Sequence, residues 1–191
     1  MTICIPETTP VHDRVELLYQ LAVQGSTSYS AGRLAVEVAS KAKARAQSVP
    51  TSARVGDWYK RILAEEALSR VHKVPYVADP PDRDCYRNVD TTATKGGECK
   101  GLNVLFVALL IRLGIQACPV DNDGRTVCGE TIWIMQPGKP LNHVASVVWL
   151  DGRPYWADAS IRGARLGESP YDALKRTREW HIVGGPFSQS K

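Results

Sequence analysis

Apolar residues recur at helical spacing through the first third of the chain. Val11, Val15, Leu18, Leu21 and Ala22 repeat until Gly25, with Thr9 able to cap and Pro10 suited to the first helical position. A Ser- and Gly-containing break from Gly25 to Gly32 follows. A second helix is predicted near Leu34–Gln47, ended by Val49-Pro50, and a third from about Ser52 to His72, with Val55, Tyr59, Ile62, Leu63 and Ala67 on one face. These read as packing elements. Pro75–Asp84, with three prolines and three aspartates, reads as an extended loop.

The pattern changes in the second half. From Cys99 to Leu113 the chain is apolar almost all round, and Gly114 follows as a stop, so a central buried helix is predicted there. Strand-like runs come next: Ile115–Val120, Thr131–Met135, Val144–Leu150 and Pro154–Ala157. Asp151-Gly152 between the last two is a strong hairpin signal. Ser169-Pro170 then opens a short helix running to about Trp180, and Gly184 to Lys191 reads as a tail. The expected class is α+β: helices first, then an antiparallel sheet against which the buried helix packs. The expected division is a helical region over 1–50, a main domain over 51–183 and a tail over 184–191.

Composition narrows the function classes. With 43% hydrophobic and 23% charged residues the chain is an ordinary globular sequence, not a disordered one. The longest apolar stretch, Leu102–Ile111, is interrupted by Asn103 and is far short of the roughly 20 residues of a membrane span. Residues 1–10 lack a basic start and a long apolar core, so no signal peptide is legible and a cytoplasmic protein is expected. The net charge of +4, from 24 basic and 20 acidic residues, is too mild and dispersed for a nucleic-acid footprint. Cysteines stand at 4, 85, 99, 118 and 128, an odd count that argues for reduced thiols. Cys118 and Cys128, flanking the Asp121-Asn122-Asp123-Gly124 turn, are expected to be reduced as well. With no Cys-x-x-Cys and no His-x-x-x-His pair, no metal or other cofactor is expected.

One constellation carries chemistry. Cys99 follows Gly96-Gly97-Glu98 and starts the buried helix, where unpaired backbone amides and the helix dipole favour a thiolate. The glycines would let a substrate carbonyl approach, so Gly97 is a candidate for the oxyanion and substrate site. Taken alone, Cys99 is also what a small buried residue starting a core helix would look like. His143 begins one hairpin strand and Asp158 ends the other. Counting from the Asp151-Gly152 turn puts them within a diagonal step across the ladder. Cys, His and Asp together complete a nucleophile, a base and its orienter.

Gly97-Glu98-Cys99-Lys100-Gly101-Leu102, continuing through Ala108-Leu109-Leu110 and Leu113-Gly114-Ile115, resembles the nucleophile segment of the transglutaminase-like cysteine-enzyme superfamily. His143-Val144-Ala145, Val148-Trp149-Leu150-Asp151-Gly152 and Tyr155-Trp156-Ala157-Asp158 are similar to its histidine and aspartate segments. Tyr86 and Arg87–Thr94 resemble its lead-in, so the resemblance spans about Trp58 to Asp158. It implies a papain-like core with Cys99 as nucleophile, His143 as general base and acid, and Asp158 as orienter. Tyr86 and Asn88 are candidates for the upstream side chain that assists the oxyanion in such enzymes. Lys100-Gly101 departs from the family's pattern, and a glycine in the first helical turn, about 1 kcal/mol worse than alanine, would loosen that turn.

The expected function is cleavage or transfer of an amide acyl group through a thioester, on a protein or peptide. Hydrolysis is favoured over amine transfer, because no acceptor site is legible. The alternative is a non-catalytic interaction or assembly module of the same fold, in a phage or prophage setting.

Overall fold

The computed structural model describes residues 2–6, 9–79, 84–120 and 143–177. The expected strand at Thr131–Met135, the turn at Asp121–Gly124, Cys128 and the tail lie outside them.

Helix α1 spans Val11–Gly25, with Pro10 and not Thr9 at the cap position. Helix α2 spans Tyr29–Gln47. It begins well before the expected Leu34, because the Ser28 side chain accepts from the Ala31 amide and caps a helix that runs on through Gly32. A 3₁₀ turn at Thr51–Ala53 precedes α3, Trp58–Val71, which is shorter than predicted. Two strands and a helix were not anticipated. Strands β1 (Thr2–Ile5) and β2 (Asp84–Arg87) pair antiparallel, and a short helix α4 (Val89–Lys95) follows with Asn88 as its cap.

Helix α5, Cys99–Arg112, is the buried element the apolar run predicted. Leu105, Phe106, Leu109 and Leu110 have no exposed surface. Each such side chain contributes about 1.5–3 kcal/mol by leaving water. Residues of α1, α2 and α3, among them Leu18, Leu34, Val38 and Leu68, join α5 and Val148 and Leu150 in one hydrophobic core. Against α5 lies a sheet of β3 (Ala117–Val120), β4 (Ala145–Leu150) and β5 (Arg153–Ala157), antiparallel in that order. Helix α6 spans Pro170–Thr177. The architecture is thus α+β, with two small antiparallel sheets among the described residues.

The β4–β5 turn follows from its two residues. Asp151 and Gly152 both have positive φ, 52° and 69°, as a primed two-residue turn requires. The Asp151 carboxylate accepts from the Asp57 amide at 2.8 Å, and Asp57 accepts from the Asp151 amide at 2.7 Å, fastening the turn to the start of α3.

The expectation of reduced thiols is overturned. The β1–β2 register sets Cys4 opposite Cys85, and the two form a disulfide spanning 81 residues of sequence. Cys118 is disulfide-bonded too. Cys99 retains its thiol. An odd count accommodates bridges and one reactive sulfur as readily as five thiols. Disulfides persist mainly in oxidising compartments, so these bridges run against the cytoplasmic setting expected from the first residues. Among the described residues no helix is long and apolar enough to cross a membrane.

Candidate active site

Cys99 is the first residue of α5 and is 5% exposed. Glu98 occupies the cap position without a side-chain bond to the first-turn amides, which have no intrahelical acceptor by geometry. Gly96 ends α4 with φ 86°, and a Cβ there would lie 2.5 Å from the Pro75 carbonyl oxygen. Gly96 therefore admits the segment Pro75–Val77, which pairs with Gly97: the Gly97 amide donates to Pro75 O at 3.2 Å, and its carbonyl accepts from Val77 N at 3.0 Å.

His143 and Asp158 meet as the hairpin arithmetic anticipated. Ser146 pairs with Ala157, and continuing that register puts Asp158 opposite Ala145, one diagonal step from His143. His143 Nε2 lies 2.6 Å from Asp158 Oδ2, and both side chains are buried. Asp158 Oδ1 accepts from the Ser160 amide at 2.9 Å, the Ser160 hydroxyl at 2.7 Å and the Ile161 amide at 3.3 Å. The backbone carbonyl of Asp158 accepts from His72 Nε2 at 3.1 Å. Burial pushes the imidazole toward its neutral form, but Asp158 and then a hydrogen bond and charge from Cys99 hold its pKa well above the ordinary value. Burial pushes the Asp158 carboxyl up, yet His143 and Ser160 keep it below the usual carboxylate value. With Nε2 turned to the carboxylate, Nδ1 is the ring nitrogen left for the sulfur.

Beside Cys99 lies a partly buried charge cluster. Lys100 pairs with Glu98 at 2.8 Å, with Asp79 at 3.3 Å and with Asp84. Arg87 pairs with Asp79 at 3.5 Å, and Arg14 with Asp84 at 3.2 Å. Burial raises the Glu98 carboxyl, opposed by Lys100. Burial alone would lower Lys100, but Glu98, Cys99 and Asp84 hold it charged. Gly101 fits tight packing, since a Cβ there would stand 3.0 Å from Thr92 Oγ1 of α4.

No family model matches this chain, and no curated protein or solved structure matches it either. The reading of the site rests on its geometry.

Of the residues singled out in the sequence, Cys99, His143 and Asp158 are brought together. Gly97 has its amide donated to Pro75. The Tyr86 hydroxyl donates to Asp84 at 2.9 Å, and Asn88 Oδ1 accepts from the Thr91 amide at 2.9 Å. Tyr76, passed over in the sequence, lies within electrostatic reach of Cys99 and Glu98; burial first, and then those charges, raise its hydroxyl pKa. Ser160 was not singled out in the sequence; the available signal was Asp158 itself, since an Asp side chain commonly bonds the backbone two residues on. Among the described residues no group of three or more His, Cys, Asp or Glu side chains could hold a metal. The groove of about 660 Å³ lined by Tyr29, Val36 and Arg112 includes none of the three residues.

Proposed function

We propose that the protein is a transglutaminase-like cysteine enzyme with a papain-like core, acting on an amide acyl bond of a protein or peptide. The observation that carries this reading is His143 held between the Asp158 carboxylate and the Cys99 sulfur. The Cys99 thiol proton passes to His143, and the sulfur attacks the carbonyl carbon. The first-turn amides of α5 are the donors for the oxyanion. His143 then returns its proton to the leaving amine as the C–N bond breaks, leaving an acyl thioester. Water, deprotonated by His143, attacks the thioester and releases the acid and the Cys99 thiol. Asp158 keeps the ring oriented and favours its protonated form throughout.

Hydrolysis is favoured over amine transfer. An acceptor amine, cationic at neutral pH and reactive only as the free base, would be drawn to the thioester by a carboxylate not already ion-paired. Among the described residues Glu98, Asp79 and Asp84, the carboxylates nearest the start of α5, are already matched by Lys100, Arg87 and Arg14. Incubation of the protein with a peptide library, with and without a labelled primary amine, separates the reactions by product mass. New termini or deamidated glutamine without amine incorporation are expected. Incorporation dependent on Cys99 would make the enzyme a transferase, and no product in either arm would favour a non-catalytic module.

A further inference from the structure

We propose that Asn103 is the positioning residue of this site, a single amide that fixes the three catalytic segments relative to one another. The proposal rests on the catalytic reading of Cys99, His143 and Asp158. Asn103 lies one turn after Cys99 on α5 and has no exposed surface. Its Nδ2 donates to the Cys99 carbonyl at 3.0 Å and to the Val144 carbonyl at 2.8 Å. Its Oδ1 accepts from the Ser146 hydroxyl at 2.7 Å and from the Ala159 amide at 3.3 Å. A carboxamide has two donor hydrogens and an oxygen with two lone pairs, so its hydrogen-bonding capacity is filled.

The partners explain the choice of residue. One bond reaches the nucleophile itself, one the residue after His143, one the residue after Asp158, and the last a hydroxyl on β4. Asparagine is a poor helix former and a costly group to bury, and every neighbour of Asn103 on α5 from Leu102 to Leu110 is apolar. An apolar side chain would remove these bonds from the Val144 carbonyl, the Ala159 amide and the Ser146 hydroxyl at the junction of α5, β4 and the segment after β5, leaving the Cys99 carbonyl only its helical bond. Aspartate would set a charge against two carbonyl oxygens. A planar amide with four satisfied bonds specifies one relative placement of these backbones, as fully paired buried networks do. That placement sets the distance from the His143 ring to the Cys99 sulfur, and a shift of about 1 Å there costs on the order of 100-fold in rate.

The test is the pH dependence of Cys99 alkylation by iodoacetamide on the intact protein, which needs no substrate. Wild type, His143→Ala, Asn103→Ala, Asn103→Asp, Ser146→Ala and Val107→Ala are compared, each with its Tm. Wild-type alkylation at pH 6 is expected to depend on His143. Asn103→Ala and Asn103→Asp should slow it by about tenfold or more and move the profile toward that of His143→Ala, with Ser146→Ala slowing it about twofold. Val107→Ala, a core truncation on the same helix, should lower Tm and leave the profile unchanged. Folded Asn103 variants with the wild-type profile would overturn the proposal, as would a Val107→Ala shift equal to theirs. If Asn103→Ala does not fold, Ser146→Ala decides, and an unchanged profile there counts against the proposal. Identical profiles for wild type and His143→Ala would instead remove the catalytic reading, and this proposal with it.

Discussion

Asp158 gives one carboxylate oxygen to His143 Nε2, at 2.6 Å, and the other to the Ser160 amide and hydroxyl. The carboxylate is therefore held from behind while it orients the imidazole. Asp158→Asn can keep the Ser160 contacts but loses the charge that favours the imidazolium. Turnover should fall by about 10³- to 10⁴-fold, against a smaller loss of about two- to tenfold for Ser160→Ala, which removes one of the contacts behind the ring. Steady-state rates on a substrate found in the library screen check this. Equal losses in the two variants would contradict the assigned roles.

The same pair makes stability depend on pH in a definite direction. His143 has a raised pKa in the folded state, so its contribution is present in full below about 6.5, the ordinary value, and is lost as the pH climbs through the raised one. Asp158 has a lowered pKa, so its contribution is present above 3.8 and is lost as the pH falls through the lowered one. Tm measured by calorimetry should decline as the pH rises from near neutrality into the alkaline range, and His143→Gln should flatten that limb. A flat wild-type limb would contradict the imidazolium–carboxylate pair.

Gly101 and Thr92 should be coupled. Alanine at an exposed helix site would gain about 1 kcal/mol over glycine, but here its Cβ meets the fully buried Thr92. Gly101→Ala should give no gain or a loss in the wild type, and a gain of about 1 kcal/mol in a Thr92→Ala background. Denaturant unfolding of the four proteins closes the cycle, and additivity would show that the close approach has no energetic weight.

What was legible in the sequence was what local pattern determines. The all-round apolar run gave away α5, and Asp151-Gly152 gave away the hairpin and so the meeting of His143 with Asp158. The β1–β2 pair was not legible, because two four-residue strands more than seventy residues apart carry no local period and pair only through the tertiary fold. With them went the Cys4–Cys85 bridge. Helix α4 is seven residues long, too short for a helical stripe to repeat. Asn103 was visible only as a blemish in an apolar run. Its four partners come from three parts of the chain, so its role emerges only once α5, β4 and the segment after β5 are assembled. Lys100, a departure from the family pattern, is explained by Asp79, Asp84 and Glu98 converging on it.

The bridge should matter for stability. Removing a native disulfide costs about 2–5 kcal/mol, and this one closes a loop of 81 residues. A Cys4→Ser, Cys85→Ser double variant is expected to unfold at correspondingly lower denaturant, and an unchanged midpoint would show that the bridge contributes nothing to stability.

In the proposed mechanism Cys99 is a nucleophile activated by His143. Mixing the protein with p-nitrophenyl acetate, an activated ester, tests it most directly, because an acyl-forming thiol gives a burst of nitrophenolate and an acetyl adduct that mass mapping can locate. A burst of about one equivalent is expected, with a thioester on Cys99, no burst in Cys99→Ala, and acylation slowed by about 100-fold or more in His143→Ala. A burst that survives Cys99→Ala, or an acetyl group found on other side chains with Cys99 unmodified, would contradict that mechanism.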